Sequence, residues 1–269
     1  MGRIFIFLSA CALACALPGC APLAPGFYDA SPSDEPGRAP CVWTRQYSSV
    51  VYEESDFIRG YFDPADLAAY RLAVPAPFTM PARPMVRVSV LDYFGMSSGP
   101  VYLESEVSVL VLHDGQPGWF VLTMPVTDGD ACAGGRYALG TPKVVRRITF
   151  ERSADRYVGT SYARGGRAPE FALTMDVREP GAPALEVLRF VYPFPDFYFL
   201  RGQVIKAGGL RTSADRLEAA APAIWKVRLG EARLEHPRDT GNLLQRLGVG
   251  APLAAYWGRM RYRYTITPR

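Results

Sequence analysis

Lysine and histidine are scarce in this chain. The lysines are Lys143, Lys206 and Lys226, and the histidines are His113 and His236. The two histidines stand far apart, with no cysteine or carboxylate at ligand spacing, so a zinc site has no support and the expected metal site is none. A Gly-x-Ser-x-Gly elbow, a phosphate loop and a dinucleotide fingerprint are all missing. Nothing favours Ser–His–Asp hydrolysis, and the sequence asks for no cofactor. The formal net charge is only +4, and its basic side is nearly all arginine. Arg259, Arg261 and Arg263 alternate with Met260, Tyr262 and Tyr264, a period of two that predicts a strand with one wet and one buried face at a solvated sheet edge. A nucleic acid is not an expected partner.

Long apolar runs are also absent, apart from the uncharged stretch Ile4 to Leu17 behind Arg3. That stretch is shorter than the about 20 residues a spanning helix needs, and it fits the core of a secretory signal over residues 1–19. It ends in Leu17-Pro18-Gly19-Cys20, which resembles the lipobox of bacterial lipoproteins. The resemblance implies cleavage before Cys20 and acylation of that residue, hence a membrane held through a lipid anchor. Ala21 after the cysteine implies the periplasmic face of the outer membrane. Residues 20–40 carry Pro22, Pro25, Pro32, Pro36 and Pro40 among small polar residues, and such a segment reads as an extended tether. Residues 41–269 read as one domain. Cys41 and Cys132 remain in it; they either pair in an oxidising compartment or stand as separate buried thiols. Homo-oligomeric assembly is left open.

The domain is predicted to be mainly β with a few helices. Strand-like runs occupy 48–52, 85–91, 106–113, 119–124, 144–151, 157–162, 170–177, 185–192, 197–205, 223–235 and 256–267. Turn signals such as Asp114-Gly115 and Gly165-Gly166 separate them. Helices are predicted after Asp63-Pro64, with Asp63 as N-cap, and over 129–138 and 239–247. Many strands with rare helices imply an antiparallel sheet, sandwich or barrel. Glu104 and Glu106 share one strand face; such pairs are usually solvated.

One collinear set of motifs stands out. Val86-Arg87-Val88 leads to Tyr102-Leu103-Glu104-Ser105, then His113-Asp114-Gly115, Gly118-Trp119-Phe120, Gly135-Arg136 and Gly140-Thr141-Pro142-Lys143. This order and spacing resemble the acetoacetate decarboxylase family, without gaps from Ser89 to Lys143. The resemblance implies an antiparallel, cone-like β-barrel and the conversion of a β-keto acid to a ketone and carbon dioxide through a lysine imine. It makes Lys143 the nucleophile and Glu104 an organiser of the site. Ser89, Arg136, Met124, Trp119 and Phe120 are the expected pocket residues. Four departures stand against full activity: Val144 replaces a second lysine, Ser89 an acid, Tyr137 a glutamate, and Asp56 aligns where an arginine is expected.

The chemistry also stands on the residues themselves. An amine attacks a carbonyl only when unprotonated, and burial in an apolar setting disfavours an ammonium ion. Pro142, Val144 and Val145 predict such a setting for Lys143. The expected activity is therefore that of a carbon–carbon lyase acting on a small carbonyl compound. The alternative is a non-catalytic envelope lipoprotein that binds an apolar or carbonyl small molecule in the same barrel.

Overall fold

In the computed structural model the described residues are 41–266, except 43, 46–48, 193, 201–202, 208–216, 220–222 and 239–241. The signal at 1–19, the acylation site Cys20 and the tether at 20–40 lie outside them. No helix among the described residues is long and apolar enough to cross a membrane.

Among the described residues thirteen strands make one sheet. They are β1 (Ser49–Pro64), β2 (Val86–Ser98), β3 (Tyr102–His113), β4 (Gln116–Val126), β5 (Lys143–Val145), β6 (Ile148–Arg152), β7 (Arg156–Tyr162), β8 (Pro169–Val177), β9 (Asp196–Leu200), β10 (Gln203–Ala207), β11 (Leu217–Ala219), β12 (Ala223–Glu235) and β13 (Val249–Ile266). The helices are α1 (Leu67–Leu72), α2 (Gly129–Ala133), α3 (Ala182–Val191) and α4 (Leu243–Arg246). A π-helical turn, Gly134–Ala138, continues α2. The sheet order is β10-β9-β4-β3-β2-β1-β13-β12-β8-β7-β6, with β5 added alongside β4 and β11 alongside β13. Most pairs are antiparallel; β4 takes β5 and β9 in parallel. The architecture is mainly β, as expected. Among the described residues β10 and β6 remain separate edges, so this pairing does not close a barrel.

The central strands are buried on both faces, and this decides where the site lies. One face carries Ile58, Val86, Val88, Val90, Val107, Val109 and Phe120, packed with Tyr70 of α1 and Leu244 of α4. The opposite face carries Phe57, Tyr61, Leu91, Tyr93, Tyr102 and Trp119, covered by Cys132 of α2 and Val187 of α3. Polar residues that alternate with valines on β2 and β3 therefore point into a second interior, not into water. Their burial makes hydrogen bonding obligatory. The β3–β4 hairpin turns at Asp114 (φ 50°) and Gly115 (φ 74°), the left-handed pair that a tight two-residue connection requires.

Several expectations are corrected. Residues 185–191, expected with Tyr192 as a strand, lie in α3, and Tyr192 is its C-cap. Pro183 occupies its first turn, and Val187 and Val191, four apart, are its buried side chains. The N-cap of α1 is Asp66, whose carboxylate accepts from Ala68 and Ala69 N–H; Asp63 and Pro64 still belong to β1. The helix expected at 239–247 is shorter. It begins after Asn242, which caps Gln245 N–H at 2.8 Å, and residues 239–241 lie outside the description. The arginine stripe near the C-terminus is not on a sheet edge, because β13 lies between β1 and β12. Arg259 there pairs with the buried Asp56 at 2.7 Å.

Cys41 and Cys132 form a disulfide with a Cα separation of 5.2 Å. Beside it the Asp130 carboxylate accepts from Thr44 N–H at 2.5 Å, Thr44 Oγ1–H at 2.7 Å and Arg45 N–H at 3.2 Å. Residues ahead of β1 are thus stitched to α2.

Candidate active site

The chain reaches Lys143 through a tight, well-bonded approach. Gly140 takes a positive φ of 70°, Thr141 N–H donates to Gly135 O at 3.1 Å, and Met124 N–H donates to Pro142 O at 3.1 Å. Lys143 then enters β5 beside Met124 of β4. The π-helical turn places Gly135 against the lysine stem; a Cβ there would lie 2.6 Å from Lys143 Cε. Only glycine permits that approach. Such π-helical irregularities recur at functional sites. Arg136 turns its guanidinium onto the Lys143 carbonyl oxygen at 3.0 Å, so it braces the lysine backbone.

Lys143 is 6% exposed and Glu104 4% exposed. Glu104 Oε2 lies 2.8 Å from Lys143 Nζ. Its other oxygen accepts from Tyr93 Oη–H at 3.2 Å. Lys143 Nζ also reaches Tyr102 Oη at 3.4 Å, and Tyr102 and Tyr52 share a hydrogen bond of 3.0 Å. Burial pushes the Glu104 carboxyl above its ordinary range, while the Lys143 charge and hydrogen bond pull it back only in part. A carboxylate with raised proton affinity touching a buried amine can take and return that amine's protons.

Two residues along β3, on the same face, Glu106 has a different setting. It accepts from Arg87 Nε at 3.0 Å, and closely from Arg87 Nη2 and Ser108 Oγ. Arg87 Nη2 also reaches Asp196 at 2.6 Å, and its guanidinium lies 4.9 Å from the centre of the Trp119 ring. Burial works to raise the Glu106 carboxyl, but Arg87, Arg59 and the Ser108 hydroxyl outweigh it and hold it below the ordinary range. Burial pushes Asp196 up despite Arg87. Arg59 and Ser89 stand next to Glu106 across β1 and β2. Arg59 donates to Tyr256 Oη at 3.4 Å.

The structure thus brings Lys143, Glu104, Ser89, Met124 and Trp119 to one interior face, with Arg136 behind the lysine. It does not bring Phe120 there. Phe120 packs on the other face with Phe78 and Phe199, ring centres 5.0 and 5.4 Å away. Glu106 is buried, not solvated. Arg59, Glu106, Asp196 and the partnership of Arg87 were missed in the sequence. The available signal was complementary charge at matching parity on neighbouring strands, Arg87-x-Ser89 against Glu106-x-Ser108. Among the described residues no three His, Cys, Asp or Glu side chains gather as metal ligands.

Solved structures of acetoacetate decarboxylases and acetoacetate decarboxylase-like enzymes share this fold. The Legionella pneumophila acetoacetate decarboxylase structure superposes with a TM-score of 0.64 at 16% identity, covering 93% of this chain and 91% of that one. An acetoacetate decarboxylase-like enzyme from Sphingomonas wittichii RW1 gives 0.58 at 18%, covering 82% and 92%. The enduracididine biosynthesis enzyme MppR complexed with pyruvate gives 0.58 at 12%, covering 81% and 88%. At such identities the likeness is one of fold. The family profile for acetoacetate decarboxylase (ADC) matches residues 61–267, and the chain belongs to that family. A curated acetoacetate decarboxylase from Ralstonia nicotianae is 33% identical over 130 residues, 48% of this chain and 47% of that protein. The match therefore spans about half the length of that relative.

Proposed function

We propose that this protein is a lyase of the β-keto acid decarboxylase kind that works through an imine on Lys143. The observation that carries the reading is the buried pair of Lys143 Nζ and Glu104 Oε2 at 2.8 Å. Glu104 takes a proton from the amine, and the freed nitrogen attacks the ketone carbon. Returned to the carbinol oxygen, that proton lets water leave and the carbon–nitrogen double bond form. The iminium nitrogen draws in the electron pair released when the carboxylate departs as carbon dioxide. A proton then enters at carbon, and water hydrolyses the imine to release the ketone and restore the amine. Buried surroundings strengthen these charge shifts. On this reading the sheet curls around the pair as a cone, and the structural neighbour complexed with pyruvate supports a small carbonyl ligand. The same reading keeps the acyl anchor on Cys20 and a place at the periplasmic face of the outer membrane.

The test is borohydride reduction in the presence of acetoacetate, followed by peptide mass mapping. With three lysines in the chain, the labelled position is unambiguous. The expected adduct sits on Lys143 and disappears in Lys143→Arg, together with carbon dioxide release. A wild-type protein that binds ketones without any adduct would leave the non-catalytic binding protein instead.

A further inference from the structure

Among the described residues, the buried side-chain polar atoms without a hydrogen-bond partner include Arg59 Nε and Ser89 Oγ on the inner face. They are immediate neighbours, because Arg59 faces Ser89 in the β1–β2 register. Ser89 is fully buried. Arg59 has one hydrogen bond, the 3.4 Å contact to Tyr256 Oη, and its guanidinium lies 4.8 Å from the centre of the Phe57 ring. Among the described residues no carboxylate is hydrogen-bonded to it, although Glu106 and Asp196 are near enough to act on its charge, whereas neighbouring Arg87 is hydrogen-bonded to Glu106, Asp196 and Ser108. A buried donor left unmade costs about 1–3 kcal/mol, more on a charged group. Two adjacent orphan donors, one of them cationic, describe half of a binding site for an oxyanion.

From this we infer that Arg59 and Ser89 form a carboxylate subsite, and that the acid held there is one the substrate keeps. The inference rests on the Lys143 imine reading and extends it to the substrate class. Two considerations fix it. First, Arg59 lies two strands from Glu104 and two residues along, roughly 12 Å between Cα atoms on ordinary sheet spacing. Both the arginine and the lysine side chains shorten that span; on this inference the carbonyl at Lys143 and the acid at Arg59 stand farther apart than the single methylene of acetoacetate allows. Second, a carboxylate clamped by a guanidinium is stabilised before reaction, and ground-state stabilisation does not speed its loss. The departing carboxylate belongs instead among the aromatic side chains near Lys143. The substrate class is therefore an oxo acid whose anchoring carboxylate stands several carbons from the carbonyl, a 3-oxo diacid when carbon dioxide is lost.

The experiment compares pairs of equal length that do not decarboxylate: 5-oxohexanoate against 2-hexanone, and 4-oxopentanoate against 2-pentanone. Each is trapped on Lys143 with borohydride. The acids are expected to label at about ten- to hundredfold lower concentration than the neutral ketones, the worth of a charge-assisted hydrogen bond in a dry site. That ratio falls toward one in Arg59→Met, is partly kept in Arg59→Lys and drops several-fold in Ser89→Ala. Unfolding midpoints check that each variant is folded. A ratio near one in the wild type, or one that survives Arg59→Met, overturns the subsite. An advantage confined to acetoacetate over 2-butanone overturns the spacing. If no ketone labels Lys143, the imine reading falls and glutarate titration judges the subsite alone. Binding lost in Arg59→Met then upholds it, and no wild-type binding overturns it.

Discussion

Glu104 and Glu106 stand two residues apart on one face of β3, both buried, yet they belong to two different kinds of place. At the amine end, Glu104 meets one lysine and one tyrosine hydroxyl, and burial leaves its carboxyl raised. At the guanidinium end, Glu106 meets two arginine nitrogens and a serine hydroxyl, and its carboxyl is lowered. The difference lies in how many donors surround each acid. A charge that is fully bonded becomes part of the framework; one that is only half bonded keeps a proton within reach.

The largest expected effect tests the framework end. Arg87→Met strands Glu106 and Asp196, and breaking a buried ion pair from one side costs about 3–5 kcal/mol. The urea midpoint should fall accordingly. Lys143→Met should cost clearly less, because the raised Glu104 carboxyl can take up a proton and stay neutral. Equal losses would erase the distinction between the ends.

A smaller effect concerns the amine end alone. Reducing the Cys41–Cys132 bond, whose partners are 91 residues apart, should lower stability by about 2–4 kcal/mol. Amide exchange should rise first in α2 and the π-helical turn behind Lys143, and later around Arg87. Uniform acceleration would show that the bond braces the whole sheet equally.

The smallest effect is one of sign. Because its folded value is raised, Glu104 stabilises the fold best below the unfolded carboxyl value of about 4.3, and that contribution is lost as pH rises through the folded value. Glu106, lowered, contributes above the unfolded value and loses its contribution as pH falls through the folded one. The penalty of Glu104→Gln should therefore shrink from acid to neutral pH, and that of Glu106→Gln should grow. Parallel slopes in urea unfolding would contradict the assignment.

The contrast also marks what a sequence can disclose. Lys143 and Glu104 were legible because their spacing follows a collinear family pattern. Strand runs were legible where valines alternate. The alternation was misjudged in one respect: Glu104 and Glu106 read as a solvated pair, but both are buried, on the face that α2 and α3 cover. Periodicity gives parity and does not say which side is dry. β1 was largely overlooked beyond Tyr52 because Glu53, Glu54, Asp56 and Arg59 interrupt its apolar residues. Asp56 is tolerated there only because Arg152 and Arg259 reach it at 3.0 and 2.7 Å. Those partners lie some 100 and 200 residues away, a distance local pattern does not bridge. Residues 185–192 misled for a simpler reason, since a short apolar run reads equally as strand or helix.

The disulfide has a mechanical consequence. Tension applied to the chain ahead of Cys41 is received by a covalent bond and passes into α2. The ladder that opens β1 at Ser49 is bypassed. While the sulfurs are joined, that strand cannot be peeled away from its N-terminal end. In a reducing medium the same tension would run straight into the ladder, and β1, the strand that carries Arg59, would be the first to come away.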